Sequence, residues 1–116
     1  MALDAVANFI LCTVATAPSP ATSGTSLVLT AGQGATLPAA PFSMTVKPSG
    51  VEPDAANAEI VRVTVISTDT LTITRQQEGT SARTIIVGDD VRLTLTAKMI
   101  TDISARTARW KTWAGV

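Results

Sequence analysis

Residues 59–75 run Glu59-Ile60-Val61-Arg62-Val63-Thr64-Val65-Ile66-Ser67-Thr68-Asp69-Thr70-Leu71-Thr72-Ile73-Thr74-Arg75. Two segments rich in β-branched residues, Glu59 to Ile66 and Thr70 to Arg75, flank the turn-prone Ser67-Thr68-Asp69. That arrangement is the signature of a β-hairpin. Leu71 and Ile73 alternate with threonines, which describes a sheet wet on one side and packed on the other. Val61, Val63, Leu71 and Ile73 are therefore expected in the core.

Working upstream, Phe42-Ser43-Met44-Thr45-Val46-Lys47 alternates cleanly, with Phe42, Met44 and Val46 on one face. Thr25 to Thr30 reads as a strand around Leu27 and Leu29, and Ala31-Gly32-Gln33-Gly34 turns the chain. The segment from Ala17 to Gly24 contains Pro18 and Pro20, which forbid helix and remove ladder donors, so it is a linker or extended crossover. Phe9 to Val14 reads as a strand. Leu3, Val6, Ala7 and Ile10 before it fit one or two helical turns or an apolar arm.

Downstream, Gly88-Asp89-Asp90 separates Thr84–Val87 from Val91–Leu95, and a second strand pairing is expected there. From Ala97 the period changes. Ile100, Ile103, Thr107, Trp110 and Ala114 recur at helical steps, with Thr96 as a candidate N-cap. The predicted fold is mainly β: a small antiparallel β sandwich or partial barrel with an extended N-terminal arm and a short C-terminal helix. Its divisions are an apolar, Pro-rich arm over 1–24, a β domain over 25–96 and a docking helix over 97–116.

The 116 residues suit one domain. Hydrophobic residues make up 46% and aromatics only 3%, so the core must be built from Val, Ile, Leu and Ala. Nine basic and nine acidic residues cancel, leaving no global field to recruit nucleic acid or an acidic membrane. Cys12, the single cysteine, lies in an apolar run and reads as a small buried hydrophobe rather than a reactive thiol. Ala15-Thr16-Ala17 resembles a signal-peptidase site, but Asp4 stands where a positive n-region is required. No apolar run approaches the roughly 20 residues that span a bilayer. A cytoplasm-like compartment is expected.

The sequence has no His and no Tyr. A Ser–His–Asp or Cys–His arrangement is thereby excluded, as are zinc sites of the Cys/His kind. Gly32-Gln33-Gly34 is a turn and not a phosphate cradle. Asp89 and Asp90 could hold Ca²⁺, but a solvated hairpin tip is the expected reading, and Glu52 with Asp54 is read the same way. Arg75 and Glu78 could form an ion pair that pins the following loop, with Gly79 supplying the backbone angle; a ligand site is the alternative, and a structural turn is preferred. Arg75, Glu78 and Gly79 thus form a structural turn. The tail holds Lys98, Arg106, Arg109 and Lys111 with Trp110 and Trp113. Basic and aromatic residues together can bind nucleic acid or a membrane surface, but Trp and Arg also anchor protein interfaces, and docking is preferred. The expected docking residues are Leu3, Val6, Phe9, Ile100, Ile103, Arg106, Trp110 and Trp113. No enzymatic activity, cofactor or metal is expected.

Asn57 to Thr64, Ser67 to Arg75 and Gln77 to Arg83 together resemble a module of tailed phages. In that family a strand ending VVRVT enters a hairpin of the form DTLTITRAQEGT, followed by a Gly-Asp turn. A T-K-x-x-T-D-I run then follows, here within Thr96-Ala97-Lys98-Met99-Ile100-Thr101-Asp102-Ile103. Met1 to Asp4 and Ala17 to Leu27 also look like its N-terminus. The resemblance spans roughly residues 1 to 103 and is most specific at R-x-x-E-G-T. Such modules are similar to N-terminal attachment domains of phage tail fibres and minor tail proteins.

The resemblance implies a non-enzymatic virion protein assembled in the host cytoplasm. Its implied partners are capsid or tail subunits, with a homo-oligomer in the particle and no membrane. Thirteen residues follow Ile103, so a free-standing copy is expected, without fibre shaft or receptor-binding head. That fits a capsid decoration or cement subunit, or a small tail-tip or neck adaptor. The alternatives are the attachment module of a tail fibre, or a nucleic-acid-binding module acting through the basic, Trp-containing C-terminus.

Overall fold

Alternation in the quoted stretch translates directly into a strand pair. The structure is a computed structural model that describes residues 4–94 and 96–104. Its strands are β1 (Leu11–Thr16), β2 (Ser26–Leu29), β3 (Phe42–Lys47), β4 (Glu59–Ser67), β5 (Thr70–Gln77) and β6 (Asp90–Arg92). A 3₁₀ turn covers Gln33–Thr36, and residues 97–104 are helical. The strands pair in the order β1-β2-β5-β4-β3-β6, all antiparallel, and β6 returns to β1 to close a barrel. The expected mainly β, antiparallel fold with a short helix is what the structure contains. Among the described strands, each therefore has a paired neighbour on both sides.

A ring this small is filled by its own side chains. Val63 lies opposite both Phe42 and Ile73, and Met44 lies opposite Val61. These residues join Cys12, Val14, Leu27, Leu29, Val46, Leu71, Ile85 and Val91 in one buried cluster. All four hairpin residues expected in the core are there. Cys12 is fully buried and free, and burial pushes its thiol pKa up against the opposing hydrogen bond of Thr36.

Two bulges break the simple alternation. Between the pairs Val63–Ile73 and Val65–Thr72, β4 carries one extra residue. The inward phase therefore shifts from Val63 to Ile66, and Val65 is left exposed. Between Ile60–Gln77 and Arg62–Thr74 the extra residue is on β5, where Gln76 adopts φ 54°. At the hairpin end, the Asp69 carboxylate accepts the N–H groups of Gly32 and Gly34 at 3.1 and 2.9 Å. A side chain at Gly34 would collide with the Thr68 carbonyl, so only glycine allows this approach.

Two expectations need correction. Thr84–Val87 forms no strand, and Asp90–Arg92 pairs instead with β1 and β3. The reason is local: the Asp89 carboxylate accepts the Ile86 N–H at 3.1 Å, so this backbone bonds to a side chain rather than to a ladder. The boundary at residue 24 also fails to separate an arm from the barrel, because β1 lies within the ring between β2 and β6. Only residues 4–10 precede the barrel as described chain, and they contain no helical turn.

Candidate functional site

Among the described residues, the largest polar assembly sits where β4 begins and β5 ends. Glu59 occupies the same inward row as Val61 and Val63, and Arg75 continues the row of Leu71 and Ile73. Opposite charges therefore meet at one end of the barrel interior. Arg75 Nε donates to Glu59 Oε2 and its Nη2 to Oε1, each at 2.8 Å, and Glu59 is completely buried. The backbone N–H groups of Gln76 and Arg83 add bonds of 2.8 Å to Oε2 and Oε1. Burial by itself would raise the Glu59 pKa. The Arg75 hydrogen bonds and the two N–H groups outweigh it and hold the carboxyl below its usual value.

The same guanidinium reaches outward. Arg75 donates to the carbonyls of Ala21, Gly24 and Arg83 at 3.2, 3.0 and 2.8 Å. One side chain thus ties the Pro-rich crossover and the loop after β5 to the barrel. Arg83 extends the network to Asp89 with bonds of 3.0 and 2.8 Å and to the Asn57 carbonyl at 3.1 Å. On the outer face, Lys47 pairs with Asp90 at 2.9 Å, and this bond from Lys47 holds the Asp90 carboxyl below its ordinary value. Asp89 and Asp90 are accordingly both buried and ion-paired. The solvated tip expected from Gly88-Asp89-Asp90 is corrected.

The R-x-x-E-G-T run distributes its polar groups differently from the expected Arg75–Glu78 pair. Arg75 is committed to Glu59, sixteen residues away. Glu78 instead accepts the Lys98 N–H at 2.9 Å in the first turn of the 97–104 helix. Gly79 does adopt φ 77°, a conformation in which glycine carries no steric penalty. Thr80 accepts the Ile60 N–H at 3.0 Å and donates to the Gln77 carbonyl at 2.8 Å. Thr96 caps the helix as expected, accepting the Met99 N–H at 3.3 Å.

A second region lies on the outer face of β3 and β4. Asp4 receives two bonds from Arg62, 2.9 and 2.8 Å, and Arg62 also donates to Ser43 at 3.2 Å. The Arg62 hydrogen bond holds the Asp4 carboxyl below its usual value and raises the Arg62 pKa in return. This pair brings the N-terminal arm against the helix: Asp4, Val6, Met99, Asp102 and Ile103 line one cleft of about 130 Å³. Of the expected docking residues, Val6 is 64% exposed, Phe9 fully exposed, Ile100 51% and Ile103 47%. Leu3, Arg106, Trp110 and Trp113 lie outside the described residues. Lys98, one of the cations considered for nucleic acid, pairs with Asp102 at 2.7 Å.

A wider groove of about 370 Å³ is lined by Thr45, Thr80, Thr94 and Thr96 among others. Its hydroxyls are engaged internally, Thr45 with Thr94 at 2.7 Å and the other two as given above. Among the described residues no group of three or more His, Cys, Asp or Glu could hold a metal ion, and no helix is long and apolar enough to cross a membrane. No protein-family model and no curated protein matches the chain.

The residues that sequence reading missed are Glu59, Arg83 and the Asp4–Arg62 pair, and Asp89, read as a solvated tip, is instead buried and paired with Arg83. Phase could have found Glu59 and Arg75, since both continue inward apolar rows to the same barrel end. The Asp4–Arg62 contact joins positions 58 apart and carries no local signal.

Proposed function

We propose that this chain is a non-enzymatic structural module of a tailed-phage virion, docking onto other virion subunits. It acts there as a capsid decoration or cement subunit, or as a small tail-tip or neck adaptor. The sequence resemblance supplies the virion context. The observation that carries docking is the exposure of Val6, Phe9, Ile100 and Ile103 along the arm and helix. Large apolar side chains that stand in water beside an apolar cleft are the usual raw material of an interface. The barrel's ionic groups support the same reading from the other side, because their hydrogen bonds hold loops rather than converge on an open cavity.

On this reading the protein is made and assembled in the host cytoplasm, and neighbouring copies or other virion proteins cover the arm and helix. The test is incorporation. Particles assembled without this protein should take up the purified wild-type chain and reject the Val6→Asp/Phe9→Asp variant. Equal uptake of both would remove the basis for the proposal.

A further inference from the structure

Near the end of β5 two non-glycine residues lie in the left-handed region, Gln76 at the bulge and Glu78 in the turn that follows, both at φ 54°. Such residues keep that conformation only where their surroundings over-determine it. Gln76 is fixed by the barrel, its N–H donating to Glu59 at 2.8 Å. Thr80 fixes the far side, bonding the Gln77 carbonyl through both its N–H and its hydroxyl, at 3.0 and 2.8 Å. Glu78 is held by a different element. Its Oε1 accepts the Lys98 N–H, while its Oε2 is buried without a hydrogen-bond partner.

These features oppose one another. The strained backbone and the unpartnered oxygen favour an opening that returns the carboxylate to water. The bond to Lys98 and the attraction between a carboxylate and a helix N-terminus favour closure. Meanwhile no described residue of 97–104 belongs to the buried core cluster, so the helix can leave without opening the barrel.

We infer that Glu78 is a latch: it holds the 97–104 helix against the turn after β5, and its release frees the helix while the barrel stays folded. The helix and barrel are then separate units of local stability, linked at the Glu78–Lys98 hydrogen bond as well as along the cleft that Met99 and Ile103 share with Asp4 and Val6. The latch does not depend on what the exposed side of the helix docks onto.

Amide hydrogen exchange on the purified full chain tests the latch in two variants, Glu78→Ala and Glu78→Gly. Both remove the carboxylate, and the glycine also relieves the backbone strain. The amides of Lys98 and Ile100 should exchange about tenfold faster in both, as loss of a charged hydrogen bond implies. The barrel amides of Val14 and Ile73 should keep their wild-type rates, and Glu78→Gly should melt no lower than wild type. Unchanged helix amides in both variants would overturn the latch. So would barrel amides that accelerate by the same factor as the helix, since Glu78 would then support the whole fold.

Discussion

The Glu59–Arg75 end and the arm–helix flank are built on opposite terms. At the first, a buried carboxylate receives four hydrogen bonds of 2.8 Å, and the guanidinium opposite reaches three further carbonyls. Along the second, Val6, Phe9, Ile100 and Ile103 are exposed, and Val6 and Ile103 line one cleft between the arm, tied down by the Asp4–Arg62 pair, and the helix, capped by Glu78. A dense cluster of short ionic bonds is the usual place to look for chemistry. Here its groups saturate one another, and what they hold is the path of two loops. Exposed apolar side chains mark the second region, although Val65, Ile86 and Val87 are exposed elsewhere on the molecule too.

The comparison is broken most forcefully at Glu59. Glu59→Ala should cost on the order of 3–5 kcal/mol in chemical denaturation, because Arg75 is left as a buried, uncompensated charge. If the pair is framework alone, Glu59→Leu/Arg75→Met should recover much of that loss, since apolar residues of similar volume can replace a buried ion pair. A double variant as unstable as the single would mean the loop contacts of Arg75 matter more than the pair.

Next in size, Ile73→Ala should cost about 2–5 kcal/mol, as expected when a buried side chain leaves a cavity. A cost within measurement error would contradict its place opposite Val63.

A smaller signature lies in pH. Asp4, Glu59 and Asp90 are held below their ordinary values by Arg62, by Arg75 with two N–H groups, and by Lys47. The folded protein therefore binds these protons less readily than the unfolded chain does. Their stabilisation is complete above the ordinary carboxylate pKa of about 4 and drains away as pH falls through the lowered folded values. Denaturation midpoints should fall on acidification below that range, and less steeply in Glu59→Leu/Arg75→Met. An equal slope in both proteins would assign the acid sensitivity elsewhere.

Much of the barrel was legible in the sequence, because period-two alternation survives wherever one face is buried. Phe42, Met44 and Val46 on β3, Leu27 and Leu29 on β2, and the four hairpin residues all fell where alternation puts them. Alternation misled at Thr84–Val87, where a β-branched run looks like a strand but Asp89 takes the backbone bond that a ladder needs. Proximity misled at Arg75, whose nearest carboxylate in sequence, Glu78, is not its partner, while Glu59 across the strand pair is. Non-local pairing defeats local reading at those points. The arm was legible only in part: Val6 and Phe9 are exposed, but Phe9, read as the first residue of a strand, precedes β1, and the stretch read as arm contains that strand.

The smallest expected effect on stability is also the most direct test of the central claim. Val6→Asp/Phe9→Asp should change stability by no more than about 0.5 kcal/mol, as surface substitutions do. The purified variant and the wild-type chain should then be compared for binding to particles that lack this protein. The account predicts saturable binding by wild type and by Glu59→Leu/Arg75→Met, and none by the folded arm variant. Wild-type binding by the arm variant, with binding lost in a folded Glu59→Leu/Arg75→Met protein, would place the interface at the ionic end and contradict the account.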